Sequence, residues 1–139
     1  MTTCCLETSC SLCCLNTNMV LTVQDIDILM KLGYRSTFFV ARRNGWLQLK
    51  NKKGRCVFHD GRHCTIYRHR PEGCRLYPIV YEKDTRSAIL DNDCPQKQHF
   101  FLSKNKERQL FALVFLLENE RRERMLKTHT CGGKNSKRR

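Results

Sequence analysis

Apolar residues recur at helical intervals between Thr22 and Gly33, which makes this stretch the clearest local pattern in the chain. Thr22 is a suitable N-cap residue, and Asp25 stands three positions later, where it completes a capping box. Gly33 supplies the C-terminal stop. A shorter helix is predicted over residues 36–41, with both of its phenylalanines packing inward. The buried face of the first helix is predicted to consist of Ile26, Leu29, Met30 and Leu32.

Farther along the chain the apolar period changes to two, which is typical of a strand. The alternation runs over residues 46–50, and Asn51-Lys52-Lys53-Gly54 then predicts a hairpin turn into a second strand at residues 56–58. Another hairpin is predicted between residues 79–81 and residues 88–90.

Two further helical segments complete the predicted elements. Pro71 is tolerated at a first helical position, and it can open a single turn that carries Cys74. Residues 104–127 are helical by composition, with apolar residues concentrated in the first half. The second half, residues 118–124, is rich in charges and is therefore expected to be solvated.

Together these elements predict a small α+β fold: a cysteine-rich, metal-stabilised domain with short β-hairpins, an N-terminal helix and a longer C-terminal helix. At 139 residues the chain can bury one modest core, to which a bound metal would add stability. Residues 1–100 are expected to form the cysteine-rich metal-binding domain, and residues 101–127 a helix packed on it. Residues 128–139 have no core-forming pattern and are expected to form a basic, flexible tail.

The ten cysteines of this short chain indicate either disulfides or metal binding. The N-terminus lacks the basic and apolar regions of a secretory signal, so we expect a cytoplasmic location, where thiols are kept reduced. No apolar run reaches the length of a transmembrane helix, and no membrane partner is expected. Metal binding is therefore favoured over disulfides.

The cysteines between Cys56 and Pro78 lie among turn residues, aromatics and arginines, a setting typical of a metal-binding core. Thiolate is a soft ligand that selects zinc or the iron of an iron–sulfur cluster. Three thiolates do not close a tetrahedral site, so further ligands are expected from the upstream cysteines and from Cys94. The predicted metal ligands are Cys5, Cys10, Cys13, Cys14, Cys56, Cys64, Cys74 and Cys94, with Cys4 as the alternative to Cys5.

These eight thiols can bind one or two zinc ions or an iron–sulfur cluster, and their spacing does not distinguish the cofactors. His59 and His63 are further candidates, because Cys56-x2-His59 has knuckle spacing, but a histidine in a polar turn is more often a surface residue. The sequence contains no recognisable nucleophile motif and no glycine-rich phosphate loop. A non-enzymatic role is therefore favoured.

Several short motifs follow one another in a recognisable order. They are Cys10-x2-Cys13-Cys14, Leu21-Thr22 with Asp25-Ile26, Gly54-x-Cys56-x-Phe58, Cys64-x-Ile66-Tyr67, Arg70-Pro71-x2-Cys74-Arg75-x-Tyr77-Pro78 and Asp93-Cys94-Pro95. Over residues 4–95 this order resembles the YkgJ-type family with the C-x2-C-x2-C-C pattern, described as a zinc- or iron-chelating domain or an iron–sulfur cluster protein. The resemblance implies that the cysteines bind metal.

One position departs from the family pattern, which begins with a cysteine where this chain has Glu7. Cys4 or Cys5 would then substitute by a longer reach, or Glu7 would supply an oxygen ligand. A related domain occurs in lysine N-methylases of bacterial flagellin, but the likeness to them is limited to the cysteine module and implies no enzymatic role.

The formal net charge of +13 is unevenly distributed: residues 1–34 carry one basic and three acidic groups, a balance of −2 that leaves +15 for the rest. This excess is more than solubility requires, and it favours a polyanion such as RNA. Trp46 could stack on bases, although tryptophan is more often a core residue. The predicted nucleic-acid-binding residues are Arg42, Arg43, Lys52, Lys53, Arg121, Arg122, Arg124, Lys137, Arg138 and Arg139.

These observations predict a metal-binding module that binds RNA, or a ribonucleoprotein such as the ribosome, through its basic surface. The C-terminal helix offers a second surface, to which a protein partner could bind. The alternative is an iron–sulfur accessory or redox protein that partners a methyltransferase or an oxidoreductase.

Overall fold

The structure is a computed structural model that describes residues 14–131, without the side chains of Lys97 and of residues 128–131. The described residues form four α-helices and three pairs of short antiparallel strands, which confirms the predicted small α+β fold. Among these residues, no helix combines the length and the apolar character needed to cross a bilayer.

The helices and strands follow the chain in the predicted order, with two additional strands. The α-helices are α1 (Val23–Lys31), α2 (Ser36–Phe39), α3 (Glu72–Leu76) and α4 (Lys104–Cys131). The strands are β1 (Val40–Arg43), β2 (Trp46–Leu49), β3 (Asn51–Lys52), β4 (Arg55–Cys56), β5 (Ile79–Glu82) and β6 (Ser87–Leu90). The sequence did not predict β1 and β3. Each strand pairs with its neighbour in sequence as β1–β2, β3–β4 and β5–β6.

Helix α1 begins and ends where the sequence predicts. Thr22 Oγ1 accepts a hydrogen bond from the Asp25 backbone N–H (2.9 Å), and the Asp25 carboxylate accepts one from the Thr22 N–H (3.0 Å), so the capping box is complete. Gly33 follows the helix with φ +109°, a left-handed conformation that glycine adopts without a steric penalty.

The buried face of α1 is narrower than predicted. Leu29 is buried and Ile26 is half-buried, as expected, whereas Met30 and Leu32 are 49% and 45% exposed. Successive residues of a helix point about 100° apart, so Leu29 and its neighbour Met30 cannot both face the core.

The predicted helix over residues 36–41 is shorter in the structure, because α2 ends at Phe39 and β1 begins at Val40. Phe39 is fully buried as expected, but the prediction for Phe38 was wrong, since its side chain is 45% exposed. Val40 pairs instead with Leu49 of β2, and β-branched residues are well suited to such a pleated edge.

Of the three hairpin turns, the sequence predicted two and missed one. The β3–β4 turn at Lys53-Gly54 lies within the predicted turn, but the strand over residues 46–49 pairs with β1 and not, as predicted, with residues 56–58. Strand β5 pairs with β6 as predicted, with Ile79 opposite Leu90. The β1–β2 turn, Asn44-Gly45, was not predicted. Both of its residues have positive φ (53° and 83°), the conformation for which Asn-Gly is the preferred hairpin pair.

Buried side chains form two groups. The first core cluster consists of Leu21, Leu29, Phe39, Leu49, Cys56, Phe58 and Ile66. The second core cluster consists of Leu76, Ile79, Ala88 and Leu110. Helix α4 supplies Leu110 and packs across β5, β6 and α3, so it closes the second cluster.

The second half of α4 is solvated only in part, because it also contacts two distant elements. The Glu120 carboxylate accepts a hydrogen bond from the backbone N–H of Val23 at the start of α1 (3.0 Å). Arg121 and Arg124 donate through Nε to carbonyl oxygens of the Asn44-Gly45 turn (2.8 Å each). The helix continues to Cys131, so the first four residues of the expected tail are helical, and residues 132–139 lie outside the described residues.

Candidate functional site

Four of the predicted metal ligands lie around the first core cluster. Cys56 belongs to the cluster, and Cys14, Cys64 and Cys74 are half-buried against it. These four residues and Cys94 are thiols and are not joined in disulfides. The fold therefore gathers cysteines from separate parts of the chain onto one core.

The β3–β4 hairpin positions both Cys14 and Cys56. Cys56 lies in β4, whose other residue, Arg55, forms an isolated antiparallel bridge with Leu15. The backbone N–H of Asn16 donates to a carbonyl in the β3–β4 turn (2.8 Å). The segment that follows Cys14 is thus held alongside the strand that carries Cys56.

Helix α3, which carries Cys74, is tied to α1 by the carboxylate of Asp25. One carboxylate oxygen completes the capping box of α1, and the other accepts a hydrogen bond from the backbone N–H of Glu72 at the start of α3 (3.2 Å). Asp25 is 6% exposed, so water competes little for these bonds. The sequence revealed only the first role, because the second joins residues 47 positions apart.

The backbone before Cys74 lies close to the side chain of Met19. A Cβ atom on Gly73 would overlap the Sδ of Met19, so a larger residue there would require the Met19 side chain to move. Met19 is half-buried and packed against the first core cluster. This close approach holds α3 against the segment that follows Cys14.

Arginines fold back on the chain around Cys74. The Arg70 guanidinium lies 3.8 Å from the centroid of the Tyr67 ring, and Arg75 donates to the carbonyl oxygens of Arg70 and Arg68 (3.2 and 3.1 Å). These contacts order the loop that leads into α3.

His59 is buried, which corrects the expectation of a surface residue, whereas His63 is exposed as expected. Nδ1 of His59 accepts a hydrogen bond from the Gly61 N–H (3.1 Å), while Nε2 is buried and meets no hydrogen-bond partner within residues 14–131. Burial, with a smaller contribution from the charge of Arg55, lowers the pKa of His59, so the ring is neutral at neutral pH. A buried polar group left unsatisfied costs about 1–3 kcal/mol.

Cys94 is buried, and it lines a groove of about 830 Å³ beside the second core cluster, whose Ile79 and Leu110 also line the groove. The groove is also lined by Gly73, by residues 15–20 and by apolar residues of α4. The Tyr77 hydroxyl donates to the Asp91 carboxylate (2.6 Å), and the Asp91 carbonyl accepts from the Cys94 N–H (3.2 Å). These bonds fix Cys94 to the chain that follows α3, on the same groove as the neighbour of Cys74.

Within residues 14–131, no three cysteine, histidine, aspartate or glutamate side chains lie close enough together to hold one metal ion. The predicted ligands Cys5, Cys10 and Cys13 lie outside this range, as do Cys4 and Glu7. The described donor set is nonetheless chemically uniform, because every predicted ligand in it is a cysteine thiol. Sulfur donors fit zinc or iron–sulfur iron.

The described residues among the predicted nucleic-acid contacts form two sets, one exposed and one half-buried. Arg42 and Arg43 of β1, Lys52 and Lys53 of the β3–β4 hairpin, and Arg122 of α4 are exposed. Lys137, Arg138 and Arg139 lie outside the described residues.

Arg121 and Arg124 form the second set, with structural roles that were not recognised from the sequence. Both hold α4 to the Asn44-Gly45 turn, and burial is the main cause that lowers the pKa of Arg124. The Arg121 guanidinium lies over one face of the half-buried Trp46 ring, 4.9 Å from its centroid. That face of Trp46 is therefore not open to a base.

Comparisons with known proteins identify the cysteine pattern. Neither a curated protein nor a solved structure matches the chain. The family model CxxCxxCC matches residues 4–108, which are 105 of the 139 residues and include all eight predicted ligands. The chain therefore belongs to the CxxCxxCC family, described as "Putative zinc- or iron-chelating domain".

Proposed function

We propose that this chain is a non-enzymatic, metal-stabilised module that binds RNA in the cytoplasm, alone or within a ribonucleoprotein such as the ribosome. One observation carries the RNA part of the proposal: residues 35–59 contain seven lysines and arginines and no aspartate or glutamate. The metal part is supported by the family and by the cysteines around the first core cluster.

In this proposal the described cysteines share their metal with cysteines that precede residue 14. Cys14, Cys56, Cys64 and Cys74 would be ligands on the core, and Cys94 would approach from the groove. A bound ion would join segments that are remote in sequence, so its binding free energy would add directly to the stability of the fold. In this proposal the role of the metal is structural.

Exposed basic side chains on two consecutive hairpins are suited to phosphate contacts. Arg42 and Arg43 lie on the first hairpin, and Lys52 and Lys53 lie on the second. Cations arranged in this way give affinity that depends strongly on salt and little on base sequence. Because Arg121 covers one face of Trp46, we expect phosphate contacts to contribute more than base stacking.

The test compares two variants that each lose two arginines and two lysines. R42A/R43A/K52A/K53A removes the hairpin cations, and K83A/R86A/K104A/R108A removes four exposed cations elsewhere. Binding to single-stranded RNA is measured over a range of salt concentrations. We expect the slope of log K against log salt, which is negative, to be smaller in magnitude by about 3 in the hairpin variant, since each phosphate contact contributes about 0.7.

The control variant is expected to change that slope by less than about 1. Equal losses in the two variants would mean general charge attraction and would contradict an RNA site on the hairpins. A visible absorption band that dithionite bleaches, without RNA binding by the wild-type protein, would instead favour the iron–sulfur accessory or redox alternative.

A further inference from the structure

The buried imidazole of His59 has a defined proton position. The Gly61 N–H donates to Nδ1, so Nδ1 carries a lone pair, and the single proton of the neutral ring lies on Nε2. Ligation of a metal through Nε2 would move that proton to Nδ1, where it would face the Gly61 N–H. Nε2 is therefore arranged as a hydrogen-bond donor and not as a metal ligand.

The backbone of His59 contacts two predicted metal ligands, Cys56 and Cys64. The His59 backbone N–H binds the carbonyl of Cys56 (2.9 Å), and His59 forms an isolated antiparallel bridge with Cys64. Residues opposite each other in such a bridge project to the same face, with their Cβ atoms about 5 Å apart. The side chains of His59 and Cys64 therefore project to the same face of the bridge.

The backbone around the bridge keeps this pair in register. On one side of it the Thr65 N–H donates to the Phe58 carbonyl (2.7 Å), and on the other the Asp60 N–H donates to the His63 carbonyl (3.1 Å). His59 itself is only 8% exposed, so its ring is largely shielded from solvent. Burial and register thus place a donor on the face of the bridge that carries Cys64.

We propose that His59 is a positioning residue for the metal centre and that its Nε2–H donates a hydrogen bond to the thiolate of metal-bound Cys64. A metal-bound thiolate is an acceptor of the kind that Nε2 otherwise lacks within residues 14–131. The bond would orient the Cys64 sulfur and lower its electron density. This inference rests on the metal centre of the proposed function, but not on RNA binding.

The test compares His59→Phe, which removes the donor while keeping a ring, with His59→Gln, which places an amide N–H near the position of Nε2. Zinc affinity is measured by competition with a chelator, and the thiolate-to-metal absorption is measured in the cobalt-loaded protein. His63→Phe, at an exposed position in the same turn, is the matched control.

We expect His59→Phe to weaken zinc binding by about 10- to 100-fold, as found when outer-shell partners are lost. Its cobalt absorption should shift to longer wavelength, because a thiolate without the hydrogen bond gives up charge more easily. The cobalt ligand-field bands should keep their shape, since no ligand is lost. His59→Gln should restore most of the affinity, and His63→Phe should match the wild type.

Three results would overturn the proposal. Zinc affinity of His59→Phe within about twofold of wild type would show that the donor does not act on the centre. Altered ligand-field bands in both His59 variants would make His59 a ligand. An equal loss in His63→Phe would indicate a general effect of the turn. If the wild-type protein itself bound neither zinc nor cobalt, the metal centre would fail, and this inference with it.

Discussion

The two core clusters of this fold differ in composition, and the difference indicates where a bound metal matters. The first contains Cys56 and has three further cysteines packed against it. Among the described residues, no cysteine belongs to the second, which is assembled from aliphatic and aromatic side chains, and Cys94 only lines the groove beside it. A cluster of apolar side chains is stable without a bound ligand. Cysteines from remote segments gain additional stability from lying together if they bind the same metal. We therefore expect the first cluster to depend on metal and the second to depend on buried area.

Cys74→Ser should give the largest effect, because it removes a predicted ligand from the first cluster. Hydroxyl oxygen is a poor ligand for metals that prefer sulfur, and a structural zinc contributes on the order of 10 kcal/mol to folding. We expect loss of bound metal and a large fall in melting temperature, measured by elemental analysis and circular dichroism.

Cys131→Ser is the control for this change, because Cys131 is not among the predicted ligands. It should leave metal content and melting temperature unchanged. If Cys74→Ser also kept its metal and its melting temperature, the ligand assignment would be wrong, and the contrast between the clusters would lose its chemical basis.

Leu110→Ala probes the second cluster, in which Leu110 is 5% exposed. Truncating a buried leucine typically costs about 2–5 kcal/mol through lost burial and the cavity left behind. We expect that loss in denaturant unfolding of the metal-loaded protein, with metal content unchanged.

Leu116→Ala, on the same helix but at a position 42% exposed, is the matched control and should cost less than about 0.5 kcal/mol. A Leu110→Ala protein that loses metal in proportion to its stability would show that the two clusters unfold as one unit. The comparison would then describe composition only.

The elements that the sequence predicted well are those whose signals are local. The Thr22 cap, the turn at Lys53-Gly54 and the start of α4 at Lys104 each depend on residues a few positions apart. The errors arose where a distant partner decides the outcome. Val40 leaves the helix to pair with Leu49, and the charged end of α4 binds elements up to 97 positions away.

The candidate site shows the same division between composition and geometry. Its cysteines could be selected from the sequence because their chemistry and the family pattern are visible there. Their arrangement could not be, since it depends on contacts such as Asp25 with Glu72 and Met19 with Gly73. The burial of His59 was also missed, because a polar turn gives no sign that a bridge to Cys64 draws one of its residues inward.

Asp25→Asn should give the smallest of these effects, and it examines the first cluster without removing a ligand. The asparagine keeps one acceptor oxygen for the two N–H groups that the carboxylate serves, those of Thr22 and Glu72. Leaving one buried group unsatisfied should cost about 1–3 kcal/mol in denaturant unfolding. We expect the bound metal to be retained, because Cys74 is still present.

Asp27→Asn provides the matched control, since Asp27 is exposed on the same helix and pairs with Lys31 one turn away (3.2 Å). Such a helical pair contributes about 0.3–0.5 kcal/mol, so the two aspartates should differ clearly in cost. Equal costs would mean that the link from Asp25 to α3 adds little. The position of Cys74 would then depend on the contact of Met19 with Gly73 and on the loop ordered by Arg70, and not on the hydrogen bond from α3 to α1.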